Sequence, residues 1–137
     1  MNIYALSIGL AVLGSSASGD LLLYGGDGHK EFLGCLECGE HIEDSICNKQ
    51  RNGNPYNNQS IFNQYGPFGD RHSSSSPWNR YSNAESVPII VDDDGGFYGF
   101  FTINSFRANA VGYSRQLGDM FDAADQDLGV LFSLMCG

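Results

Sequence analysis

Basic side chains are scarce in this chain: 7 Lys and Arg stand against 16 Asp and Glu, giving a net charge of −9 at pH 7. That balance repels phosphate backbones and anionic headgroups, which argues against nucleic acid and acidic membrane surfaces as partners. Long apolar runs are also missing after the N-terminus, so no second segment suits a membrane span. The chain lacks a Gly-x-Ser-x-Gly elbow, and no glycine-rich loop carries a phosphate-binding Lys; Gly25-Gly26-Asp27-Gly28 has no helix following it. Asp70, His72 and Ser73 read as a solvated loop rather than a framed triad. Carboxylate pairs drawn from Glu31, Glu37, Glu40 or Glu43 are expected by chance among so many acids. A small hydrolase is therefore a reading without an identifiable site, and no cofactor is implied.

What the chain does have fits one small domain. Its 137 residues can build one modest core, and 18 Gly point to turns rather than long helices. Residues 2–19, "NIYALSIGLAVLGSSASG", carry no charge and pass from an apolar run to small residues. This reads as a signal peptide over 1–19, although no Lys or Arg precedes the apolar run, followed by a single domain over 20–137. The expected location is periplasmic or extracellular, with no stable membrane anchor after processing. Four cysteines in an exported chain suggest two disulfides among Cys35, Cys38, Cys47 and Cys136, with three connectivities. A local Cys35–Cys38 bridge would leave Cys47 to hold Cys136.

The expected fold class is α+β. Leu21 to Tyr24 and Glu31 to Leu36 flank turn-forming residues and read as one β-hairpin; Ile89 to Val91 and Phe97 to Ile103 read as a second. Asp27-Gly28 before Phe32-Leu33-Gly34 matches Asp94-Gly95 before Phe97-Tyr98-Gly99, the first loop being longer by two residues. Either one unit is repeated or two hairpins share turn chemistry. Toward the C-terminus, Leu117, Met120, Phe121, Ala124, Leu128, Leu131, Phe132 and Met135 recur at spacings of three and four. They predict one amphipathic helix with Ser114 as N-cap, packed on the sheet of hairpins.

Between these lies a stretch crowded with Ser, Asn, Gly and aromatics, over 44–82. "DSICNKQ", "QSIFNQY" and "SSPWNRY" align, with Asn48, Asn63 and Asn79 at steps of fifteen and sixteen. Ser and Asn cap turns with their own side chains, and one bulky residue per copy fills an interior. The composition is that of a linker, but the regular aromatics point instead to an ordered irregular wrap. Tyr65, Trp78 and Tyr81 are candidate ring platforms for a glycan, with Asn63 and Asn79 bonding its hydroxyls; interior packing is favoured for Trp78 and Phe62.

Two metal sites deserve testing against the structure. Cys35, Cys38, His41 and Cys47 offer the ligand types of a zinc site, although the second half is badly spaced. Asp92, Asp93 and Asp94 offer oxygens for calcium, but no Glu follows at the EF-hand spacing, and a hairpin turn accounts for the same letters.

"EFLGCLECGE", "DSICNKQ", "QSIFNQYGPFGDRHSSSSPWNRYS" and "PIIVDDDGGFYGFFTIN", over residues 31–104, resemble a group of small exported bacterial proteins. These carry an F-L-G-C-L-x-C opening, S-I-W-N-x-Y-G repeats and a V-D-x-D-G-x-F-Y-G segment. Here Cys47 replaces the usual repeat aromatic, and Gln50-Arg51-Asn52 replaces the usual Tyr-Gly. The resemblance implies export and a shared fold, and it carries no activity. The function expected from sequence is non-catalytic recognition of a basic protein partner at the cell envelope, as inhibitors do, with glycan binding as the alternative.

Overall fold

The computed structural model describes residues 20–39 and 41–137, so the expected signal peptide over 1–19 lies outside the described residues. The protein is α+β. Four strands, β1 (Leu22–Gly25), β2 (Glu31–Cys35), β3 (Ile89–Val91) and β4 (Phe97–Phe100), form an antiparallel sheet in the order β2-β1-β3-β4. Two helices follow, α1 (Ser114–Ala123) and α2 (Leu128–Cys136).

The hairpins β1–β2 and β3–β4 are two copies of one unit. Each return strand carries a bulge at a glycine in a positive-φ conformation, Gly34 (φ 131°) opposite Leu23 and Gly99 (φ 122°) opposite Ile90. A Cβ at Gly34 would meet Ile46, and one at Gly99 the backbone of Asn109, so both the conformation and the space call for glycine. After each bulge the chain turns back onto its own sheet edge. Cys35 N–H donates to Asp44 O and Ile46 N–H to Cys35 O; likewise Phe100 N–H donates to Asn109 O and Val111 N–H to Phe100 O. Leu36 bonds back to Leu21 just as Phe101 bonds to Pro88. Shared turn chemistry alone does not produce the same bulge and the same edge closure, so the repeated-unit reading stands.

The segment between the hairpins is an ordered ladder of turns with a period of three. The N–H of residues 45, 48, 51, 54, 57, 60, 63 and 66 each donates to the carbonyl three residues earlier. The pattern slips at Gly66, where Asp70 as well as Gly69 bonds back, and then resumes through Ser73, Ser76, Asn79 and Ser82. Five turns separate Asn48 from Asn63; five turns plus the slipped residue separate Asn63 from Asn79, which accounts for the unequal steps. Gly69 permits the slip, because a Cβ there would lie 2.0 Å from the Asn63 carbonyl oxygen.

Side chains replace sheet or helix partners along this ladder. Ser45, Ser60 and Ser76 are buried, and each hydroxyl accepts the N–H two residues on, from Cys47, Phe62 and Trp78. Each repeat Asn works twice: Asn63 Oδ1 accepts from Tyr65 N–H while its Nδ2 donates to Asn57 O, and Asn79 does the same with Tyr81 and Ser73. Polar residues thus satisfy a backbone with few long-range partners.

The ladder docks on the helices in reverse order. Cys47 is disulfide-bonded to Cys136, Phe62 meets Phe132 edge-on at 5.0 Å, and Trp78 stacks on Phe121 at 5.6 Å. Trp78 also meets Phe101, just after β4, at 6.1 Å, so it joins sheet to helix. The second disulfide links Cys35 to Cys38.

The single C-terminal helix expected from periodicity is two helices. Asp125 (φ 54°) and Gln126 (φ 61°) turn left-handed, and Asp127 then caps α2 by accepting from Gly129 and Val130 N–H. The apolar stripe survives the break because Ala124 and Leu128 are both buried on either side of it. Ser114 is not the N-cap; it begins α1, and its hydroxyl donates to Thr102 O at 2.5 Å.

Candidate functional site

The turn ladder presents aromatic rings as well as burying them. Where Asn begins a turn, the residue two positions on has its N–H held by the Asn side chain and its own side chain turned outward. At Asn54, Asn63, Asn79 and Asn104 that residue is Tyr56, Tyr65, Tyr81 and Phe106. These rings are 81, 80, 86 and 98 % exposed. Large aromatics usually bury most of their surface, so repeated exposure at one structural position is informative. The Asn-x-aromatic spacing carried this signal at Asn54 and Asn104 too, but it is legible only once the three-residue period is known.

Three of these rings border one groove between the ladder and the helix pair. At one end a cavity of about 460 Å³ is lined by Tyr81, Arg71, His72 and Gln126, with Trp78 and Phe121 beneath. It continues through Arg71, His72 and Gln126 into a second cavity of about 420 Å³, where Gln64 faces Asp125 and Asp127. Gln64 and Asp127 then lead to a smaller space of about 170 Å³ bordered by Tyr56 and Tyr65. Phe106 does not line it. The lining mixes amide, carboxylate and guanidinium groups with aromatic rings, and the rings gather at both ends.

The candidate binding residues divide sharply. Tyr65 and Tyr81 are exposed beside the groove. Trp78 is 1 % exposed, and its indole N–H donates to Ile61 O at 2.6 Å, so it is not available as a ring platform. Asn63 and Asn79 each use one amide N–H and the amide oxygen within the ladder and so position Tyr65 and Tyr81; Asn79 also lines the first cavity.

The metal candidates do not assemble. All four cysteine sulfurs are in disulfides, which removes Cys35, Cys38 and Cys47 from a zinc site with His41. Asp20 approaches the Cys35–Cys38 pair, but bonded sulfurs are not thiolate ligands. Asp92 closes the β3–β4 turn: Oδ1 accepts from Asp94 and Gly96 N–H, and Oδ2 accepts from the Tyr98 hydroxyl at 2.6 Å. The Tyr98 hydroxyl, followed by the Gly96 amide, holds the Asp92 carboxyl below its usual range, and the same bond raises the Tyr98 phenol. Asp92, Asp93 and Asp94 do not gather as a three-carboxylate cluster among the described residues. Away from the groove, the Tyr113 hydroxyl is buried without a partner among the described residues, and burial pushes its pKa up.

No protein-family model, curated protein or solved structure matches this chain.

Proposed function

We propose that the protein is a non-catalytic recognition module that binds an extended saccharide along the groove between the turn ladder and the helices. The observation that carries this reading is the set of exposed tyrosines, Tyr56, Tyr65 and Tyr81, held by Asn-capped turns beside a polar groove. An aromatic face packs on the C–H face of a sugar ring, while amides and carboxylates along the groove exchange hydrogen bonds with its hydroxyls. Fixing the ring-bearing backbone in advance reduces the ordering cost of binding. Two formed disulfides support an oxidising compartment, and no described helix is long and apolar enough to cross a membrane. These observations support a location outside the cell or at its envelope, in keeping with the resemblance to exported bacterial proteins.

A second reading, an inhibitor-like contact with a basic protein, draws on the net charge of −9 and on exposed Asp119, Asp122, Asp125 and Asp127. Salt separates the two, because long-range charge steering is screened while stacking is not. Screening an oligosaccharide array at low and high salt tests the proposal. Salt-tolerant capture that disappears in Tyr65→Ala/Tyr81→Ala supports it; capture of basic proteins alone, lost in salt, contradicts it.

A further inference from the structure

Cations are few on this chain, yet two of its 7 Lys and Arg, Arg71 and Arg80, line the Tyr81 end of the groove together with His72. No carboxylate lines that end among the described residues. Arg80 is held by Asp122 at 3.0 Å, whereas Arg71 enters no ion pair among the described residues. Its neighbour Asp70 lines the adjoining cavity and caps its own turn by accepting the His72 N–H at 2.8 Å, and forms no ion pair with Arg71 among the described residues. Farther along the groove the sign reverses, with Asp125 and Asp127. The start of α2, whose free N–H groups would otherwise attract an anion, is closed by the Asp127 side chain.

Resting on the saccharide reading, we infer that the ligand carries an anionic group at one end, a carboxylate or a sulfate, seated against Arg71 beside Tyr81. An arginine in a concave site binds either oxyanion through charge-assisted hydrogen bonds. The acidic middle of the groove, on a chain of net charge −9, disfavours a uniformly anionic polymer and leaves the Tyr56 and Tyr65 end for uncharged sugars. A solvated surface arginine would have no such preference, and this is what the experiment reads.

Titration calorimetry of the full chain uses three probes of equal length: a neutral oligosaccharide, the same chain ending in one uronic acid, and the same chain ending in one sulfate ester. The expected result is about tenfold tighter binding of a charged probe than of the neutral one. Arg71→Gln should abolish the preference, bringing the charged and neutral probes to the same affinity. Arg115→Gln, at an exposed residue of α1 outside the groove, should retain the preference. Preference for only one charged probe identifies the anion. Equal binding of all three, or a preference that survives Arg71→Gln, overturns the inference and leaves the saccharide reading standing. Binding of none overturns both.

Discussion

The two hairpins share a bulge, a glycine conformation and an edge closure, but the chain leaves them in opposite styles. After the first it enters about forty residues of turn ladder, where Ser and Asn side chains complete the backbone hydrogen bonds; after the second, a short run of the same turns over Asn104 to Ala110 leads into two helices, which complete their own. The ladder therefore orders itself with few aliphatic residues, and it borrows apolar surface from the helices at Cys47–Cys136, Phe62–Phe132 and Trp78–Phe121. The contrast also bears on the proposed binding face. A ladder whose backbone is held by polar side chains is able to leave aromatics outside, and Tyr56, Tyr65 and Tyr81 are outside.

Breaking the joints between the two regions should have the largest effects. Cys47→Ser removes a cross-link spanning 89 residues. On a chain-entropy account this costs about 4.5 kcal/mol, measured by denaturant unfolding beside the Cys38→Ser variant, whose short loop should cost about 2 kcal/mol. Equal losses would show that the long staple does not couple ladder to helix. Trp78→Ala removes the ring between Phe101 and Phe121 and should cost about 3–5 kcal/mol; a well-folded variant of normal stability would place Trp78 outside the core.

Smaller effects sharpen the contrast within the ladder. Gly69→Ala places a methyl against the Asn63 carbonyl at the slipped turn and should cost about 1–3 kcal/mol, with amide exchange rising first around Gly66 to Ser73. An unchanged exchange pattern would mean that the slip tolerates a side chain.

The smallest expected effect concerns the β3–β4 turn, which is held by a carboxylate rather than by Asn. Asp92 has a lowered pKa in the folded state, so its contribution is present above the ordinary carboxylate range and is lost as pH falls through the folded value. Tyr98 has a raised pKa, so its contribution is present below the ordinary phenol range and is lost as pH rises through the folded value. Tyr98→Phe should flatten both limbs of the turn's stability against pH, read from the amide shifts of Asp94 and Gly96; limbs that persist would place the cause elsewhere.

Much of this architecture was legible from the letters. Asp-Gly turns flanked by apolar residues located both hairpins, and the spacing of Leu117 through Met135 identified the buried helical stripe. The break between the helices was hidden because Ala124 and Leu128 keep helical spacing across it, while the left-handed turn at Asp125 and Gln126 uses residues that are ordinary in helices. The repeat was visible at fifteen residues but its three-residue unit was not, since Ser, Asn, Arg, Gly and Asp all start turns. For the same reason the letters single out neither Tyr56 nor the turn-supporting role of Asn63 and Asn79. Trp78 and Tyr81 hold the same place in successive three-residue turns, one capped by Ser76 and buried, the next capped by Asn79 and exposed, so what separates the two rings is which turn faces the helices.

The most direct test of the account is the variant Tyr56→Ala/Tyr65→Ala/Tyr81→Ala, with melting temperature and oligosaccharide-array binding measured on the same preparation. The account predicts melting within a few degrees of the wild type, because exposed side chains contribute little to stability, together with loss of salt-tolerant saccharide capture. Saccharide capture equal to the wild type, or unfolding of the variant, would contradict it.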